Sequence, residues 1–264
     1  MSTPFDTVIE NIKKRGYHNH RTQEHSNLVS DGIFIQLLER CEALRRDFGE
    51  GRVRRWLNVP APGGRHRKID LFVGEPRPSA TDGKGSPDYD RARICVENKS
   101  VVTAHRNADA RFSDLDEELQ AIHRVKPEAV LVATVMVGLA RRFLNIPDGV
   151  RKAYRSREEE FQKKIVPRLS SGDQLLWTEF PMAISQNRPD DARRTLEKFR
   201  QIKTRPPAQT HILGYDFVLI VPVYIDNVNP PHVARKNPFG IDVNREYESM
   251  LERICKAYTA RWQS

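Results

Sequence analysis

Arg93-Ile94-Cys95-Val96-Glu97-Asn98-Lys99-Ser100-Val101-Val102 is an apolar run with a carboxylate and an ammonium set two residues apart near its middle. Its β-branched and small apolar residues predict a strand over 93–102. On a strand, side chains two apart leave the same face, so Glu97 and Lys99 project together while Asn98 points the other way. Asn98 is polar where the inner face of such a strand would suit an apolar side chain.

Upstream, Arg67 to Val73 alternates in the manner of a second strand, with Ile69, Leu71 and Val73 on one face and Lys68, Asp70 and Phe72 on the other. Residues 74–92, with three prolines and three glycines, read as a loop between the two strands. If the strands are neighbours, Asp70 approaches Glu97, and two carboxylates and one ammonium converge. Two convergent carboxylates repel each other unless a cation sits between them, and hard oxygen ligands suit Mg²⁺. Such a metal polarises a phosphate and helps ionise a bound water, while a nearby ammonium stabilises the developing negative charge. This chemistry is phosphodiester hydrolysis.

Farther out, residues 4–15 read as a short helix with Pro4 in its first turn. Asp31 to Phe48 reads as a longer helix, capped by Ser30 or Asp31, with Ile33, Phe34, Leu37, Leu38, Cys41 and Leu44 on one face and Gly49 and Gly51 beyond its end. Ser113 to Val125 is a third helix, and Ala129 to Val137 and Phe217 to Ile225 are apolar runs expected of strands covered on both faces. Residues 141–168 and 189–203 are basic and helix-prone. The order predicts an α/β protein, a mixed central sheet flanked by helices, in a single domain over 1–264.

Ile69-Asp70 on one strand and Glu97-Asn98-Lys99 on the next resemble the PD-(D/E)xK nuclease superfamily, to which most restriction endonucleases belong. The resemblance covers about 31–137 and implies a restriction-endonuclease-like fold. It also implies catalytic roles for Asp70, Glu97 and Lys99, with Asp70 and Glu97 as ligands of one or two Mg²⁺ ions. Ile69 stands where the family name has proline. Many members add an acid from the preceding helix, for which Glu39 and Glu42 are the candidates. The activity implied is that of a Type II restriction enzyme cutting double-stranded DNA at a specific sequence, as a homodimer, with a DNA methyltransferase as functional partner. Pro87-Asp88 is a literal proline-aspartate pair, but its continuation Tyr89-Asp90-Arg91 offers no apolar strand, so Asp70 is the better first acid.

The rest of the sequence is compatible with a polyanionic partner. Lys and Arg outnumber Asp and Glu by 44 to 35, a formal charge of +9, which favours nucleic acid through counterion release. Between Gly51 and Lys68 lie Arg52, Arg54, Arg55, Arg65, Arg67 and Lys68 with no acid, expected as a DNA-gripping loop or a solvated basic surface. His105, Arg106 and Arg111 follow the Glu97 strand and are expected at the rim of the site, or as caps of the next helix; Arg235 lies in a basic loop near the end. Arg188 to Arg205 carries seven basic residues against three acidic ones at helical spacing, with no role assigned. His18-Asn19-His20 with His25 is a weak metal candidate. Cys41, Cys95 and Cys255 are expected as buried thiols, and with no apolar run long enough for a membrane span and no signal-like opening, the chain is expected in the cytoplasm.

Taken alone, Glu-x-Lys is a frequent tripeptide, usually a salt-bridged strand edge. Two rivals to the restriction reading remain: a repair or defence nuclease of the same fold acting on structured or modified DNA, and a non-catalytic DNA-binding protein.

Overall fold

A computed structural model describes residues 2–15, 23–62, 67–77, 85–102, 105–145 and 183–263, with 160, 163, 164 and 167 as isolated residues. In chain order the helices are α1 (Pro4–Arg15), α2 (Glu24–Arg40), α3 (Glu42–Gly49), α4 (Ala108–Val125), α5 (Asp191–Arg200) and α6 (Val243–Trp262). The strands are β1 (Arg54–Pro60), β2 (Lys68–Gly74), β3 (Ala92–Val101), β4 (Val130–Gly138), β5 (Arg142–Asn145), β6 (Ala183–Gln186), β7 (Phe217–Tyr224) and β8 (His232–Val233).

Among the described residues, six strands form one mixed sheet in the order β1-β2-β3-β4-β7-β8, and β5 and β6 pair separately. The centre β3-β4-β7 is parallel, whereas β1, β2 and β8 add antiparallel. Parallel strands need covering on both faces, and both faces are covered. Leu71, Val73, Ile94, Val96, Val132 and Val221 pack with α1, α2, α3 and α6, and Phe72, Cys95, Leu131, Ala133, Val135 and Ile220 pack with α4 and α5. No helix among the described residues is long and apolar enough to cross a membrane.

Several expectations are corrected. The helix read over 31–48 begins at Glu24 and breaks at Cys41, whose extended backbone (φ −100°, ψ 93°) separates α2 from α3 while its buried thiol stays on the apolar face. The third helix begins at Ala108, so Ser113 lies inside it. Part of the basic 51–68 segment is strand β1, paired along β2. Ile69 packs with Val59 and Phe72, on the α4 and α5 side.

Polar groups secure the layers. Arg205 is wholly buried; it donates to Asp216 (3.0 Å) and to the carbonyls of Pro127 (2.7 Å) and Ala129 (2.5 Å). Arg261 reaches the same carboxylate (2.5 Å), which also accepts from the Leu131 amide (2.9 Å), so the residue just before β7 is tied to the start of β4. Across the sheet, Arg93 contacts Asp47, Glu75 and the Tyr258 hydroxyl (2.8 Å).

Candidate active site

The β2-β3 register pairs Phe72 with Cys95 and ends at Leu71 with Val96, and Asp70 and Glu97 are the next residues along the two strands. Glu97 and Lys99 share the face on which Lys99 meets Glu118 of α4, and the Asp70 charge acts on both Glu97 and Glu118, so the three groups converge on the α4 side. Asp70 Oδ2 accepts a 2.7 Å hydrogen bond from the Asn98 amide, which ties this carboxylate to the backbone between Glu97 and Lys99.

Strand β1 is regular on either side of this point, with Leu57 opposite Leu71 and Val59 opposite Ile69. Between them Asn58 adopts a left-handed conformation (φ +58°) and turns its side chain to Gln23 and to Asn27 (3.0 Å) at the start of α2. Asn tolerates this region better than most residues, because its short amide bonds locally.

Asn98, polar on a buried strand, has full employment on the opposite face. Its Nδ2 donates to Ser30 Oγ (2.9 Å), Ser26 Oγ (3.1 Å) and the Ser26 carbonyl (3.2 Å), and its Oδ1 accepts from Thr134 Oγ1 (2.7 Å). Thr134 is its partner in the β3-β4 register. The residue between the acid and the lysine thus fixes α2, β3 and β4 together, and the site rests on a rigid floor.

Lys99 Nζ contacts Glu97 and also Glu118 of α4, at 3.1 Å from its Oε1. Sequence reasoning missed Glu118. A signal was present: Leu115, Glu118, Leu119 and Ile122 form the buried stripe of α4 at i, i+3, i+4, i+7, so a carboxylate stands where an apolar residue is due.

Asp70, Glu97 and Glu118 are 9%, 5% and 3% exposed. Burial, reinforced by the Asp70 charge, pushes the Glu97 carboxyl well above its ordinary value despite Lys99. Burial likewise raises Glu118 to about 7, against the opposing pull of Lys99. Burial works against the Lys99 ammonium, but Glu97 and Glu118 outweigh it and hold its pKa above normal.

Two buried oxygens, Glu97 Oε2 and Glu118 Oε2, have no hydrogen-bond partner. An unsatisfied buried carboxylate oxygen is costly, and a hard divalent cation is the partner that an all-oxygen donor set suits. Among the described residues, no three His, Cys, Asp or Glu side chains already form a group that could hold an ion; the bridge between Glu97 and Glu118 is the Lys99 ammonium.

The structure does not bring the other nominated acids here. Ser26 and Ser30 of α2 touch Asn98, so Glu39, nine residues beyond Ser30, lies roughly 13 Å farther along the axis. Glu39 and Glu42 are exposed at that far end. Asp88 caps the turn at Tyr89–Arg91, accepting from the Asp90 amide (3.2 Å).

The nominated basic residues scatter. Arg67 stands three residues before Asp70 and pairs with Asp114 (3.0 Å) and Glu117 (2.8 Å) of α4, beside Glu118. Arg106 is exposed in the short helical turn His105–Asn107 that leads into α4, and Arg111 is paired with Asp114 (3.1 Å). His105, expected at the rim, is buried; its Nδ1 lies 2.7 Å from Thr195 Oγ1 of α5, and burial lowers its pKa. Arg52 pairs with Asp47 (2.6 Å) and Glu50, and Arg55 with Asp31 over the Phe34 ring (5.3 Å). Arg54 lies on the edge strand β1. Arg235 pairs with Asp6 (2.7 Å) of α1, a helix that packs against the opposite face of the sheet. His25 is buried, which lowers its pKa to about 4. Arg65, His18 and His20 lie outside the described residues.

Searches of protein-family models, of curated proteins and of solved structures find no match to this chain.

Proposed function

We propose that this chain is a Mg²⁺-dependent DNA endonuclease of the PD-(D/E)xK kind, with a restriction-endonuclease-like arrangement of its mixed sheet. The observation that carries the reading is the convergence of Asp70, Glu97 and Lys99 on one face of adjacent strands, with Glu118 closing the group from α4.

Asp70, Glu97 and Glu118 would hold the metal; once bound, it supplies charge neutralisation at the scissile phosphate and acidifies water. The chain's own residues do the rest. Glu97 and Glu118 bind as carboxylates, so each gives up the proton that burial favours. Lys99, an ammonium throughout the neutral range, places positive charge against a phosphate oxygen as negative charge develops there. The Asn98 amide orients Asp70, and the Asn98 side chain keeps β3 from shifting against β4.

Sequence-specific cleavage of double-stranded DNA by a homodimer, in partnership with a protective methyltransferase, is the fuller form of this proposal. Its test is incubation of plasmid and phage DNA with Mg²⁺ or with chelator, followed by sequencing of the fragment ends. Mg²⁺-dependent fragments sharing one end sequence support it. Cleavage only of branched, damaged or modified DNA supports a repair or defence nuclease of the same fold.

The burial of all three acids favours a second reading, in which the cluster is a structural ion group and the protein binds DNA without cutting it. That reading expects metal-independent binding and intact DNA.

A further inference from the structure

The parallel strands β4 and β7 end side by side, and beyond their ends lies a cavity of about 710 Å³. Its described walls are Leu139, Ala140, Arg141 and Arg142 after β4, and Tyr224, Asp226 and Asn229 at the end of β7. Three features give the cavity a chemical character.

First, Arg141 and Arg142 are exposed, and neither side chain has an ion-pair partner among the described residues. This contrasts with Arg52, Arg55, Arg67, Arg93, Arg205, Arg235 and Arg261, all of which are paired. Second, Tyr224 and His232 are opposite one another in the β7-β8 register, and their rings stack at 5.1 Å with 29° between planes. Tyr224 is 38% exposed and lines the cavity, so the stacked pair is open to solvent at the cavity wall. Third, the acid in the wall is already engaged: Asp226 accepts from the amides of Val228 (2.8 Å) and Asn229 (2.7 Å) and from Asn229 Nδ2 (2.6 Å).

Unpaired guanidiniums beside an exposed aromatic platform match the two halves of a nucleotide, an anionic phosphate and a flat base. The position supports the match. Lys99 is in register with Val135 and Val135 with Ile220, so Tyr224 lies two strands across and four residues along from Lys99, roughly 16 Å away. Val218 and Ile220 pack on the α4 and α5 side, and the alternation of β7 carries Tyr224 to that same face.

We propose that this cavity binds an unpaired nucleotide of the DNA strand, a few nucleotides from the phosphate placed at Lys99, with its base on the Tyr224-His232 platform and its phosphate on Arg141 and Arg142. The inference rests on the nuclease reading for its substrate, but its test does not use cleavage.

The test is fluorescence anisotropy of a labelled single-stranded DNA 12-mer, and of the corresponding duplex, with wild type, Tyr224→Ala, Tyr224→Phe and the Arg141→Ala/Arg142→Ala double variant. All samples contain chelator, and circular dichroism checks the fold. Loss of one stacking platform weakens single-strand binding about 5- to 100-fold in Tyr224→Ala, whereas Tyr224→Phe stays within about twofold. The double arginine variant lowers the slope of log K against log salt by roughly 1.4, two phosphate contacts' worth. Wild-type affinity in Tyr224→Ala, absence of single-strand binding by the wild type, or equal losses on duplex and single strand would each overturn the proposal. Tyr224-dependent binding without any Mg²⁺-dependent cleavage would sink the nuclease reading and leave the nucleotide site standing; cleavage with no effect of Tyr224→Ala on binding would do the reverse.

Discussion

Lys99 of β3 and Glu118 of α4 meet at 3.1 Å across the space between sheet and helix, although 19 residues separate them. The pair completes a buried group of three carboxylates and one ammonium.

The group has a signature in stability. A carboxyl whose folded pKa is raised makes the native state the tighter proton binder, so stability falls as pH rises from the ordinary value of 4.5 through about 7. Glu118→Gln removes this titration. The thermal midpoint of the wild type should decline across that window, with a shallower decline in Glu118→Gln and a gain of roughly 1–3 kcal/mol for the variant at pH 8. Parallel curves for the two proteins count against the burial argument.

Asn98 is expected to matter for the fold rather than for chemistry. Asn98→Leu leaves Thr134, Ser26 and Ser30 without their half-buried partner. The cost should be about 2–4 kcal/mol, read as a lower urea midpoint with an unchanged slope. An unchanged midpoint means that the hub contributes nothing.

Arg205→Leu tests the other buried charge. Asp216 and the Ala129 carbonyl keep Arg261, but the Arg205 hydrogen bonds to three backbone carbonyls and half of the ion pairing are lost, for a penalty of about 3–5 kcal/mol. Calorimetry at neutral pH reads it directly. A loss under about 1 kcal/mol would show that Arg261 alone suffices.

The strands that build the site were legible because their chemistry is simple. Two apolar runs each carry a lone acid, and one carries a lysine two residues on, so pairing them suffices to bring Asp70 to Glu97. Helix α1, β2, β3, β4 and β7 followed from periodicity within a residue or two. Strand β1 did not, because it is an edge strand: Trp56, Leu57 and Val59 carry its apolar signal among arginines that the solvated edge tolerates. Glu118 escaped for a different reason. Its partner lies on another element, and only the fold says that the buried stripe of α4 faces Lys99. Nor could the sequence tell paired arginines from unpaired ones, because Arg67 meets Asp114 and Arg235 meets Asp6 only through tertiary packing.

The most direct test of the central claim is single-turnover cleavage of DNA by wild type, Asp70→Asn and Lys99→Ala under matched Mg²⁺, with DNA binding followed separately. The account predicts Mg²⁺-dependent cleavage by the wild type, a rate at least about 10²-fold lower in both variants, and DNA binding retained. Cleavage at the wild-type rate by Lys99→Ala, or intact DNA from a folded and DNA-bound wild type across sequences and Mg²⁺ concentrations, would contradict it.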